Sequence, residues 1–132
     1  MVKIVVSAYY EDIINTLEKS ITKELSNNNI NYEISKVAGV WEIPYEINRL
    51  TKLSKDNIDF IAVGVVVKGE TDHYEYISSS VANALMNLTV NNNIYIANCI
   101  LNLTDISQAN KRSSTKGLEA VNALISVKAN RT

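Results

Sequence analysis

The rhythm of apolar and polar positions changes repeatedly along this chain, and each change marks an element. Residues 4–8 form a short apolar run, which predicts a buried strand. Over 11–26 the apolar residues Ile13, Ile14, Leu17, Ile21 and Leu25 recur at helical spacing. Ile30, Tyr32 and Ile34 then alternate with polar residues, the pattern of a half-exposed strand over 30–37. Residues 39–42 read as a loop, and Pro44 suits the first turn of a helix that continues through Ile47 and Leu50. Residues 60–67 are almost wholly apolar, as expected of a central strand buried on both faces. Ile77, Val81, Leu85 and Leu88 share one face of a helix over 74–90, and 94–101 reads as another strand. A short helix is expected over 104–111, capped by Thr104 or Asp105, and a last helix from about Lys116, burying Leu118, Val121, Leu124 and Ile125.

Strand and helix thus alternate four times, with one helix added at the end. Parallel neighbours need crossover helices, so the alternation predicts an α/β, flavodoxin-like three-layer sandwich. Its four-stranded parallel sheet would run in the order 2-1-3-4, with helices on both faces. The alternating strand 30–37 fits a sheet edge. The strand 94–101 is too apolar for a free one, which predicts a covering partner subunit.

Composition narrows the picture. The 132 residues fit a single domain spanning 1–132 and are enough to bury a sizeable core. A net charge of −1 gives no field to draw nucleic acid or a membrane surface. One cysteine, Cys99, lies in an apolar run, as a reduced, buried thiol would, and an intramolecular disulfide is excluded. The opening run Met1-Val2-Lys3-Ile4-Val5-Val6 is short for a signal peptide, and no apolar run approaches a bilayer span. A soluble, cytoplasmic protein is expected.

In a parallel sheet the loops at the C-terminal strand ends carry the chemistry. Here they hold Tyr9-Tyr10, the stretch 39–42 with Trp41 and Glu42, the stretch 68–73, and 102–105. They supply aromatic faces, a carboxylate, a glycine turn with backbone N–H groups and the single histidine, His73. Such parts suit a flat heterocycle and an anion. Imidazole takes and gives protons near neutral pH, so His73 is the candidate acid/base group. Gly69-Glu70-Thr71 could hold a phosphate on backbone N–H groups, with Arg112 and Lys116 as cationic partners. Each feature also has a plainer reading: a surface histidine at a helix start, an ordinary turn, packing aromatics, a solvated glutamate and surface cations. Some chemistries drop out. One histidine and one cysteine cannot make a His/Cys zinc site. No dinucleotide fingerprint, P-loop, response-regulator acidic pair or hydrolase elbow is present.

Four blocks carry more than generic chemistry: Val5-Val6-Ser7-Ala8-Tyr9; Val37-Ala38-Gly39-Val40-Trp41-Glu42-Ile43-Pro44; residues 64–76, Gly-Val-Val-Val-Lys-Gly-Glu-Thr-Asp-His-Tyr-Glu-Tyr; and Ile106-Ser107-Gln108-Ala109 leading to Arg112 and then Lys116-Gly117. In order and spacing, across essentially the whole chain, they resemble the lumazine synthase family. That resemblance implies a cofactor-independent transferase of riboflavin biosynthesis, with no metal. It would condense 5-amino-6-(D-ribitylamino)uracil with 3,4-dihydroxy-2-butanone 4-phosphate, losing phosphate and water. The resemblance places Tyr9 against the pyrimidine, and Val40, Trp41 and Glu42 along the ribityl and pyrimidine pocket. Val65, Val66 and Val67 would meet the pyrimidine through their backbone. Glu70 and Thr71 would sit at the phosphate, His73 would move the proton, Arg112 would bind phosphate, and Lys116 matches the family's lysine before the last helix.

In the family the site lies between neighbouring subunits, with the positions of Asn98 and Arg112 supplied from next door. The resemblance therefore implies a homo-oligomer, a pentamer or a larger icosahedral cage of pentamers. Asn98 departs from the family's usual phenylalanine, Tyr9 adds a hydroxyl, Asn102-Leu103 replaces a pair of threonines, and the stretch between Arg112 and Lys116 is about four residues short. The sequence starts at its first strand, where relatives often carry an extension that adds a strand to a neighbour's sheet. Two rival readings are an archaeal-type riboflavin synthase and a non-catalytic binding or shell protein of the same fold.

Overall fold

The computed structural model describes residues 1–69 and 73–131. Four strands, β1 (Val2–Ser7), β2 (Tyr32–Val37), β3 (Asp59–Val67) and β4 (Ile96–Leu103), alternate with four helices, α1 (Glu11–Asn27), α2 (Ile43–Leu53), α3 (Tyr74–Asn92) and α4 (Ala109–Ala129). The sheet is all parallel, as the alternation implies, and its order is β2-β1-β3-β4, the flavodoxin-like order expected.

The pleat sorts side chains to two cores. Val2, Ile4 and Val6 of β1 and Ile61, Val63, Val65 and Val67 of β3 pack with Ile14, Leu17, Ile21 and Leu25 of α1 and Val121 and Leu124 of α4. Val5, Phe60, Ala62 and Val66 face the opposite way, against Ile43 and Ile47 of α2 and Val81 and Leu85 of α3. Every residue of β3 is buried, which is why its sequence shows no alternation.

Several boundaries differ from the sequence expectation. β1 begins at Val2 and ends at Ser7, and β4 runs from Ile96, so Ala8, Ile94 and Tyr95 lie outside the strands. Ile34, one of the apolar positions alternating along the edge strand β2, is exposed. Residues Val40–Glu42 form a 3₁₀ turn rather than an open loop. The expected pair of C-terminal helices is a single helix, α4, entered through a 3₁₀ turn at Ile106–Gln108. Asp105 does cap that turn: its side chain accepts from the Ser107 N–H while the Gln108 side chain reaches back. The polar stretch Arg112-Ser113-Ser114-Thr115 does not break the helix because Ser113 is buried in it. Nor does Gly117 mark an end. It lets α4 cross α1 closely, since a Cβ there would lie 2.9 Å from Ser20 Oγ and 3.2 Å from the Leu17 carbonyl.

The apolar character of β4 also has an internal cause. Ile96, Ala97, Cys99, Ile100, Leu101 and Leu103 are all buried within one chain, under α3 and α4. Their burial needs no partner subunit. Cys99 is among them, and burial pushes its thiol up to about 12, with the Lys116 charge acting in the opposite direction. A thiol so placed is inert as a nucleophile.

Candidate active site

At the C-terminal edge of the sheet, the chain leaves β1 towards β2 and leaves β3 towards β4. The crevice between these departures is where open α/β sheets bind ligands. A cavity of about 380 Å³ lies there, lined by Tyr9, Tyr10, Gly39, Val40, Trp41, Glu42, Val65, Val66, Val67 and Ile77.

Each wall has a local cause. Tyr10 precedes α1 with φ 63° and ψ 59°, a left-handed conformation costly for a bulky residue, of order 1–3 kcal/mol. It turns the chain from β1 into α1 and leaves Tyr9 67% exposed beside the cavity. Gly39 sits under two of the walls. A Cβ there would be 3.2 Å from a Glu42 carboxylate oxygen and 3.4 Å from the Tyr9 ring, so both groups converge on its bare Cα. Gly64 does the same for Val40, whose Cγ2 lies 2.6 Å from where a Gly64 Cβ would stand. Val40 is thereby drawn into the core and carries Trp41 and Glu42 to the rim, where both are exposed.

Seven expected site residues line this one cavity: Tyr9, Val40, Trp41, Glu42, Val65, Val66 and Val67. His73 stands at the N-cap of α3, and its carbonyl accepts the Ile77 N–H at 2.8 Å, so its backbone is fixed one turn from a cavity residue. Gly69, before it, has φ +90°, the left-handed region that favours glycine in a turn. Glu70 and Thr71, expected at the phosphate, lie outside the described residues.

Asn98, Arg112 and Lys116 do not line the cavity. They belong to β4 and α4. The Lys68 N–H donates to the Leu103 carbonyl, so the preceding carbonyl, that of Asn102, points away from β3 to the open side of β4. The Arg112 guanidinium donates to that carbonyl at 3.3 Å, and Asn98 Oδ1 accepts the Ile100 N–H at 3.0 Å. Both side chains thus occupy backbone groups of the edge strand. Lys116 is half-buried on α4, near enough to Cys99 for its charge to act on that thiol.

Nothing in the residue pattern alone gives Ile77, Gly39, Gly64 or Tyr76 a role at the site. The Tyr76 ring stacks on Trp41, with centroids 5.9 Å apart and planes at 23°. The available signal was its place three residues after His73, inside the 64–76 block.

A family model described as 6,7-dimethyl-8-ribityllumazine synthase matches residues 1–131. The protein of that name from Limosilactobacillus reuteri (strain DSM 20016) is 36% identical over 115 residues, covering 86% of this chain and 74% of that protein. Its namesake from Bartonella tribocorum (strain CIP 105476 / IBS 506) is 35% identical over 114 residues, 85% of this chain and 74% of that one. A third, from Afipia carboxidovorans (strain ATCC 49405 / DSM 1227 / KCTC 32145 / OM5), is 32% identical over 132 residues, 94% of this chain and 81% of the relative.

Proposed function

The chain belongs to the 6,7-dimethyl-8-ribityllumazine synthase family, and on that footing we propose that the cavity between the β1 and β3 departures holds its pyrimidine substrate. It is a transferase of riboflavin biosynthesis, condensing 5-amino-6-(D-ribitylamino)uracil with 3,4-dihydroxy-2-butanone 4-phosphate. The observation that carries the site assignment is the convergence of Tyr9, Val40–Glu42 and Val65–Val67 on one cavity. Those segments come from three separate strand ends.

The steps suit these groups. The pyrimidine's amine adds to the ketone to give an imine with loss of water. Loss of phosphate then needs a proton removed beside that imine, and His73 is the group to take it. Such a group contributes typically about 10²–10⁴ in rate, whereas holding two reactants in place contributes up to roughly 7–11 kcal/mol. His73→Ala is therefore expected to slow turnover without abolishing it. Glu42 accepts hydrogen bonds from the pyrimidine, Tyr9 and Trp41 give it apolar faces, and the Val65–Val67 backbone pairs with its edge. Glu70 and Thr71 belong to the phosphate end of this reading, and Lys116 to its margin.

Arg112 completes the phosphate site from a neighbouring copy. Within one chain it and Asn98 are engaged at the open side of β4, not at the cavity that holds the other seven residues. A homo-oligomer with shared sites, built from single domains of residues 1–132 and acting in the cytoplasm, accounts for that division. No described helix is long and apolar enough to cross a membrane.

Incubation with both substrates tests the reading. Phosphate release with a fluorescent lumazine product is expected. Pyrimidine binding without phosphate release above the uncatalysed rate would refute it and fit a binding protein instead. A monomer at working concentration that still turned over would refute the shared site.

A further inference from the structure

We propose that Tyr76 is a positioning residue for the pyrimidine site: its ring holds Trp41 in place at the cavity rim and so sets affinity for the pyrimidine. The proposal rests on the functional reading above. Trp41 lines the cavity yet is 53% exposed, and its 3₁₀ turn, Val40–Glu42, spans barely one turn of chain. Val40 anchors the turn from below, but Trp41 itself points outward. Among the described residues the ring that stacks on it is that of Tyr76, 64% exposed, with centroids 5.9 Å apart and planes at 23°. That spacing falls inside the range of attractive offset stacking.

The pair also spans two elements that bear on the reaction. Tyr76 lies in the first turn of α3, which begins after His73, and its neighbour Ile77 lines the cavity. On the other flank, Ser78 Oγ donates to Asn102 Oδ1 at 2.8 Å. The start of α3 is thus tied to the turn carrying Trp41 and Glu42 on one side and to β4 on the other. Removing the Tyr76 ring frees Trp41 to sample rotamers that leave the cavity open, so each binding event must first order it.

The test compares the full-length wild type with Tyr76→Ala, Tyr76→Leu and Tyr76→Phe. Trp41 is the sole tryptophan, so intrinsic emission reads its environment directly. Tyr76→Ala and Tyr76→Leu are expected to red-shift that emission. Both should raise KM for the pyrimidine by about two- to tenfold, the fold-change a stacked aromatic pair represents. kcat should stay within about twofold, and KM for the butanone phosphate should not move. Tyr76→Phe keeps the ring and should restore both the emission and the pyrimidine KM. Wild-type KM and emission in the Ala and Leu variants would overturn the proposal. So would a fall confined to kcat, or a Phe variant as impaired as Ala. Leu keeps bulk at the position, so an Ala variant that failed to fold would leave it as the deciding comparison. If wild type itself made no lumazine, the functional reading would fail. The emission comparison would then separately decide whether Tyr76 holds Trp41.

Discussion

Gly64 is the position where one added methyl group should do most harm. It faces α2 and α3 from the middle of β3, and a Cβ there would meet Val40 Cγ2 at 2.6 Å, Ser7 Oγ at 3.0 Å and Ile43 Cδ1 at 3.6 Å. Apolar carbons rest about 3.5–4.0 Å apart, so Gly64→Ala demands a movement of roughly 1 Å from Val40. Val40 is β-branched and buried, with little rotamer freedom to absorb it, so the turn carrying Trp41 and Glu42 must move outward. Overpacking of this kind costs about 1–3 kcal/mol. Against it stands the lower chain entropy of unfolded alanine, about 0.4–1 kcal/mol, available because Gly64 is not among the positive-φ glycines. The net expectation is a loss of about 1–2 kcal/mol, or roughly 3–8 °C in Tm.

A double-mutant cycle in urea separates this cause from others. Val40→Ala alone should destabilise by emptying core volume. Combined with Gly64→Ala it should cost at least about 1 kcal/mol less than the sum, because the methyl that clashes is gone. Strict additivity, or a Gly64→Ala variant as stable as wild type, would refute the steric account. A pyrimidine KM left untouched by Gly64→Ala would refute the link from Gly64 through Val40 to the site.

Three further outcomes follow from the packing. Ser7 is fully buried and its Oγ has no hydrogen-bond partner among the described residues, so Ser7→Ala should stabilise by up to about 1 kcal/mol in chemical denaturation. Arg131 makes a two-pronged pair with buried Asp59, at 2.8 and 2.9 Å, clasping the end of α4 to the start of β3. Arg131→Gln should cost about 1–3 kcal/mol, and less than that alongside Asp59→Asn, since no buried carboxylate is then left unpaired. The hydrogen bonds from Arg49 and Ser35 hold the Glu46 carboxyl below its ordinary value of 4.5. Its contribution is therefore present above that value and is lost as pH falls through the lowered one; a stability titration of Glu46→Gln should lack this acid-side loss.

What the sequence made legible follows from how local the deciding physics was. β3 and α1 declared themselves because burial on two faces, or along one helical stripe, leaves a pattern in every residue. α4 did not: Arg112 to Thr115 is polar enough to look like a break, and only the tertiary contacts of Ser113 and Gly117 show why the helix continues. The crevice residues Tyr9, Trp41 and Glu42 were recognisable by block and spacing. Gly39, Gly64 and Tyr76 are not legible in the same way, because what they do lies in what a missing Cβ permits and in a ring facing another ring. Those are distances, and no residue pattern encodes them.

If copies of this chain share sites as proposed, the placement of Arg112 and Asn98 bears on how those copies would meet. An open strand edge recruits further strands through its free N–H and C=O groups. On β4, Asn98 Oδ1 already takes the Ile100 N–H and Arg112 already covers the Asn102 carbonyl. Continuing the sheet across this edge would have to displace both, so a neighbouring copy is better met through side chains. On the proposed reading, the neighbour's phosphate then competes with a single carbonyl for Arg112. The existing contact, at 3.3 Å, is long and has a neutral acceptor. A phosphate dianion instead accepts two parallel bonds from the guanidinium and carries the opposite charge, where the carbonyl takes one bond and carries none. The exchange favours substrate, and the carbonyl it uncovers is exposed enough to take a water in place of the guanidinium. Arg112 can therefore protect the edge when the site is empty and bind phosphate when it is filled. Conversely, Arg112→Ala should weaken phosphate binding and leave the β4 edge open to pairing, so that higher-order association rises as turnover falls. A variant that lost turnover with no change in association, followed by light scattering, would show that edge protection does not depend on Arg112.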